Sequence, residues 1–125
     1  MTYGTELIAT EYGRVGFAFA HALVAGSYEA AHDMLTTELK QKWPVERIKQ
    51  TFERMIQHGV VTLVEAMEGS DDYPDQQPGE IGVIYIAICG HDPTDPVFTF
   101  SEAVMVAVRR ESEGLRIGKI IWGRP

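Results

Sequence analysis

The order of apolar and polar positions divides the chain into a helical first half and an extended second half. Over residues 10–25, apolar side chains recur every three or four residues, which is the spacing of one face of an amphipathic helix. A second helix is predicted over residues 27–40, and a third follows Trp43 and stops at Gly59. The stripe of the first helix consists of Val15, Ala18, Phe19, Ala22 and Leu23.

After Gly59 the apolar spacing changes from helical to alternating, which is typical of β-strands. Polar turns rich in Asp, Pro and Gly separate the extended segments. Helices followed by an antiparallel meander predict an α+β fold, with the three N-terminal helices packed in the concave face of a curved sheet of four or more strands. We expect one domain over residues 1–125. The predicted strands are 60–68, 80–90, 97–110 and 115–122.

The segment Val97–Arg110 is the predicted centre of the sheet, and it is apolar on both faces. Alternate residues of a strand point to opposite sides, so both sides are expected to be covered. Helices can cover one side, and the pattern leaves open what covers the other. The alternative is a helix-backed sheet whose outer face is mildly apolar, as small domains often are. The two sets are Val104, Val106 and Val108 on one face and Ala103, Met105 and Ala107 on the other.

Composition limits the classes of partner and location. The net charge of −7 and the scattered Lys and Arg residues argue against nucleic acid binding. The single Cys89 excludes an intramolecular disulfide and a multi-cysteine zinc site. Because no signal peptide and no apolar run of about 20 residues is apparent, we expect a cytoplasmic protein that does not enter the membrane.

Three local features of the sequence stand out: the helix–Gly–helix sequence AFAHALVAGSYEAAHDMLT, the third helix opened by Trp43-Pro44-Val45-Glu46, and the final Ile121–Pro125. With the order of helices before a meander, they resemble the nuclear transport factor 2-like superfamily, which includes ketosteroid isomerase and the SnoaL-like cyclases. The resemblance implies a cone-like sheet, a pocket between its concave face and the first helices, and a homodimer formed through the sheets, in which a second copy would cover the other face of Val97–Arg110. It implies little about activity, because this fold carries unrelated functions.

Enzymes of that superfamily place a carboxylate base and proton donors in an apolar pocket, where burial raises the pKa of a carboxyl group. The candidate donor here is Tyr12, on the inward stripe of the first helix, and the alternative interpretation is a core tyrosine with one partner for its hydroxyl. The candidate bases are Glu65 and Glu102, each within a predicted strand. Either carboxylate could instead pair with an arginine at the sheet surface.

Three functions remain open on the sequence alone. The first is a small-molecule-binding domain with a mostly apolar pocket, and the second is an isomerase or cyclase that uses Tyr12 with Glu65 or Glu102. The third is a protein-interaction module that docks through its sheet. No metal-ligand spacing and no cofactor motif is present in the sequence. The predicted pocket lining is Tyr12, Phe19, Met34, Trp43, Phe52, Tyr85 and Met105.

Overall fold

A computed structural model describes residues 2–95 and 97–123. Within these residues the chain forms five helices and five strands. The helices are α1 (Gly4–Ile8), α2 (Glu11–Val24), α3 (Tyr28–Asp33), α4 (Thr37–Lys42) and α5 (Val45–Met55). The strands are β1 (Thr2–Tyr3), β2 (Val60–Ser70), β3 (Glu80–His91), β4 (Thr99–Glu111) and β5 (Gly114–Trp122).

The predicted α+β class is confirmed. The strands pair antiparallel in chain order, β1-β2-β3-β4-β5, and the sheet is curved and not closed. Helix α2 contacts all four long strands, while α3 packs on α2 and α5. The side chain of Thr10 caps α2 by accepting a hydrogen bond from the Gly13 N–H group.

The register of β3 and β4 shows which side of the sheet faces the helices. Ile84 is paired with Val106, and Ile86 with Val104, and all four side chains are fully buried. A Cβ atom added at Gly16 of α2 would collide with Ile84, so this row lies directly under the helix. Met105 and the other β4 residues that alternate with this buried row therefore lie on the opposite side of the sheet, which we call the outer face.

The second predicted helix is interrupted, which corrects the expected three helices. The Thr36 hydroxyl accepts a hydrogen bond of 3.1 Å from the Leu39 N–H group and begins the new helix α4. Between α3 and α4 the chain extends along β5. There the Thr36 N–H group donates to the Ile117 carbonyl at 2.9 Å, and the Ile117 N–H group donates to the Met34 carbonyl at 2.8 Å. A helix cannot continue through a segment whose backbone groups bond to a strand.

Two further boundaries differ from the prediction. Strand β4 begins at Thr99, because the backbone of Val97 and Phe98 bonds back to Asp95 in a turn. The short helix α1 was not predicted, since five residues are too few for a periodic signal. In the described part of the chain, no helix is long and apolar enough to cross a membrane.

Candidate functional site

The residues expected to line one pocket lie on both sides of the sheet. Phe19, Phe52 and Tyr12 are on the helix side and are almost completely buried in the core, with exposures of 0%, 2% and 6%. Met34 and Trp43 are partly buried against the same core. Tyr85 and Met105 are paired with each other on the outer face. The structure does not bring the seven side chains to one cavity.

The three candidate catalytic residues are also apart. The Tyr12 ring packs over Gly82 on the helix side of β3, at a point where an added Cβ atom would collide with it. Glu65 is paired with Ala87 in the outward row and is exposed. Glu102 is on the helix side but is paired with Ile88, about 20 Å along the strand from Gly82 at roughly 3.3 Å per residue. Neither carboxylate is within hydrogen-bond reach of Tyr12.

The outer face carries the mostly apolar cavity of the described structure. Its volume is about 190 Å³, and its floor consists of Val83, Tyr85 and Met105. The connection after β2 supplies the remaining wall, chiefly Tyr73 and Pro74. Two of the residues predicted to bind a ligand, Tyr85 and Met105, therefore do line a cavity, on the side of the sheet opposite to the helices.

The loop that walls this cavity is held by one carboxylate. Glu80 Oε1 accepts a hydrogen bond of 3.0 Å from the Tyr73 hydroxyl and one of 2.8 Å from the Gln77 N–H group. The Gln76 side-chain amide donates to the Glu80 carbonyl at 2.9 Å. At the other end of the loop, Ser70 Oγ donates to the Asp72 carbonyl at 2.7 Å. The wall of the cavity is thus positioned by bonds of its own and not by a ligand.

Tyr73 is a poor candidate for proton transfer at this cavity. Burial raises the pKa of its hydroxyl well above the ordinary tyrosine value, and the hydrogen bond to the Glu80 carboxylate and its negative charge raise it further. A general acid works best when its pKa is near the working pH. Tyr73 therefore supplies a wall and a fixed donor to Glu80, which suits binding better than acid catalysis.

The cavity opens on the wider apolar surface of the outer face. Register places Tyr85, Met105 and Ile121 side by side, and Ala87 beside Ala103. The large side chains Leu63 and Ile121 are 48% and 39% exposed on it. Its charged members include Glu65 and Glu68 on β2, Arg109 on β4 and Lys119 on β5.

Sequence reasoning missed the residues that build the wall. Tyr73 and Pro74 belong to a segment that was interpreted only as an exposed connection, because Asp, Gln, Pro and Gly dominate it, and Glu80 was interpreted as the first residue of a strand. The available signal was the single tyrosine in this polar segment, since a large aromatic side chain tends to find apolar surface. Among the described residues, no group of three His, Cys, Asp or Glu side chains is placed to hold a metal ion.

No protein-family model matches the chain, and no curated protein and no solved structure matches it either.

Proposed function

We propose that the chain is a small-molecule-binding domain and that the outer-face cavity is its binding site. The observation that carries the proposal is the mostly apolar lining by Val83, Tyr85 and Met105 beneath a loop that is already ordered. A volume of about 190 Å³ suits a compact molecule, since an apolar cavity of about 150 Å³ in another protein holds benzene. The ligand class is therefore a small apolar compound, on the order of one aromatic ring.

The enzyme alternative has less support from the geometry. Proton abstraction and return require a base and a donor that reach the same substrate. Tyr12 and Glu65 are on opposite sides of the sheet, and Glu102 is about 20 Å away along it at roughly 3.3 Å per residue. Membership in the nuclear transport factor 2-like superfamily remains part of our proposal, supported by the order of helices before a curved meander.

Titration with benzene and indole tests the ligand proposal. We expect the methyl signal of Met105 to shift on titration in a methionine-labelled sample, because Met105 lies in the cavity floor. Val83→Trp should obstruct the cavity floor and abolish the response of the Met105 signal. Leu63→Trp places the same side chain on the outer face away from the cavity and should bind normally. Equal binding by the two variants, or an unmoved Met105 signal in the unaltered chain, would refute the assignment.

A second candidate function is self-association through the outer face, and the exposed Leu63 and Ile121 favour it. The alanines between the larger side chains would let two sheets approach to the usual distance of about 10 Å. A twofold axis along the strands would place β5 of one copy opposite β2 of the second, with Lys119 about 7 Å along the strands from Glu68 at roughly 3.3 Å per residue. We propose this homodimer, in which the cavity would be enclosed between the subunits.

Sedimentation velocity at micromolar concentration tests the dimer. We expect the unaltered chain to sediment at twice its subunit mass of 13.9 kDa. Ile121→Lys should shift it to the monomer, because a charge would be buried between the sheets. Ile8→Lys is the matched control, since Ile8 is 37% exposed but lies on α1, outside the outer face. A monomeric unaltered chain would rule the dimer out.

A further inference from the structure

The outer face carries opposite charges on the two sides of its midline. The carboxylates Glu65 and Glu68 are on β2, and the cations Arg109 and Lys119 are on β4 and β5. In the described part of the chain, neither cation makes an ion pair. A twofold axis along the strands, between β3 and β4, lays the acidic side of one copy over the basic side of a second copy. Complementary charges of this kind favour one orientation of two surfaces over others.

The same axis sets the two outer-face cavities against each other. A rotation about an axis along the strands leaves every residue at its own height along them, so β3 of one copy lies over β4 of the other without a shift. Tyr85, which is paired with Met105 in its own chain, therefore faces Met105 of the second copy. Both side chains belong to the cavity floor and are only partly buried, so the floor of each cavity covers the other.

The two cavities also overlap sideways. Each lies over β3, with Val83 and Tyr85 in its floor, and across the axis the two β3 strands are one strand spacing apart. That spacing is about 5 Å, which is less than the roughly 7 Å diameter of a sphere of 190 Å³. The cavities therefore join into one space, which we call the shared chamber. At up to twice the volume of one cavity, it reaches the usual range of ligand pockets, about 300–1,000 Å³.

The loop that bears Tyr73 and Pro74 keeps the shared chamber from closing. It walls the cavity on the β2 side and is held there by the hydrogen bond from the Tyr73 hydroxyl to Glu80. In the dimer it lies over β5 of the second copy and separates the sheets at this height. Two residues further along the strands, the pair Ala87 and Ala103 leaves only methyl groups between the sheets, so the copies can touch there.

We propose that one elongated apolar molecule, about two aromatic rings long, binds in the shared chamber to two chains at once and that its binding drives dimerisation. This rests on the function proposed above, because each half of the chamber is an outer-face cavity that takes one ring. A ligand held by both copies stabilises the dimer and not the separate chains. By reciprocity, a chain that cannot dimerise binds the elongated ligand more weakly.

Titration of the unaltered chain with biphenyl and with benzene tests the proposal, because biphenyl is two benzene rings joined end to end. We expect one benzene for each chain but one biphenyl for each pair of chains. In sedimentation velocity, biphenyl at ten times its dissociation constant should raise the association constant of the dimer about tenfold. One biphenyl for each chain, or an unchanged association constant, would overturn the shared chamber.

Ala87→Glu separates the chamber from the single cavity. It puts a longer, charged side chain where only methyl groups face each other, and Ala87 does not line the cavity. The variant should sediment as a monomer and keep the shift of the Met105 methyl signal with benzene, but bind biphenyl about tenfold more weakly. Ala18→Glu, at an exposed position of α2, is the matched control and should behave as the unaltered chain does with both probes.

The binding site and the shared chamber fail in different ways. A Met105 signal that does not respond to benzene in the unaltered chain refutes the cavity as a binding site, and the shared chamber with it. A Met105 signal that responds, together with equal biphenyl affinities in the unaltered chain and in Ala87→Glu, refutes the shared chamber alone. If Ala87→Glu does not fold, the number of biphenyl molecules bound by each unaltered chain still decides.

Discussion

At the scale of single residues, Gly16 fixes how closely α2 lies on the sheet. An alanine in a helix normally stabilises it by about 1 kcal/mol relative to glycine. Here the added Cβ atom would collide with Ile84 and stand 3.1 Å from Val106 Cγ2, both in the buried row of the sheet. We predict that Gly16→Ala destabilises the fold by about 1–3 kcal/mol, as overpacking does, in urea unfolding.

Ala18→Gly provides the control for that prediction. Ala18 is an exposed position of the same helix, so the change should cost about 1 kcal/mol through helix propensity alone. A stabilising Gly16→Ala would mean that α2 is not in close contact with Ile84.

Tyr28 gives the stability a dependence on alkaline pH. Its pKa in the fold is about 12, against about 10 in an unfolded chain. The contribution of the protonated, hydrogen-bonded hydroxyl to the free energy of unfolding is therefore fully present below pH 10. It is lost as the pH rises towards 12. We predict that the difference in free energy of unfolding between the unaltered chain and Tyr28→Phe decreases from pH 9 to pH 12. A constant difference would show that burial and the neighbouring Glu53 do not raise the pKa of Tyr28 in the fold.

The residues of the site could be predicted only in part. The helical stripe correctly indicated that Phe19 and Tyr12 point to the interior, because one periodicity defines one face. Alternation along the strands could not assign Tyr85 and Met105 to a side, because both faces of β3 and β4 are apolar. To place Tyr85 and Met105 in one pocket with Phe19, one must know which strand face is turned to the helices, and the sequence does not determine this.

At the scale of elements, β4 separates two environments along a single strand. Val106 is fully buried under α2, whereas its neighbour Met105 is only partly buried on the outer face. We predict that Val106→Lys prevents folding and that Met105→Lys yields a folded monomer with a cooperative unfolding transition, as measured by circular dichroism during urea unfolding. A folded Val106→Lys variant would reverse the faces that we assign.

The division of the second helix was half visible in the sequence. Thr36 and Thr37 are weak helix formers whose hydroxyls compete for backbone groups, which indicates an interruption. That the interruption pairs with β5 depends on a partner about 80 residues further along, and local patterns carry no information about it. The four long strands and their order in the meander were accessible, because turns rich in Gly and Pro mark each connection, whereas the two residues of β1 gave no signal.

At the scale of the whole molecule, the sheet centre should be the most persistent part of the fold. β3 and β4 each have a strand on both sides, and the side chains at 84, 86, 104 and 106 are fully buried. We predict that their amides are the slowest to exchange with deuterium and that their exchange approaches the rate of global unfolding. The amides of α1, a helix of five residues, should exchange early. Equal protection of α1 and β3 would contradict this order.

The bridge between Leu35 and Ile117 also constrains how the chain acquires its structure. The segment beside Leu35 is synthesised early, yet the strand that satisfies its backbone groups is made near the end. Contacts so far apart in sequence close slowly, because a long loop must be ordered first. During synthesis the backbone groups of Met34 and Thr36 therefore lack their β5 partner until the end of the chain emerges. A chain truncated before residue 114 should remain dependent on chaperones.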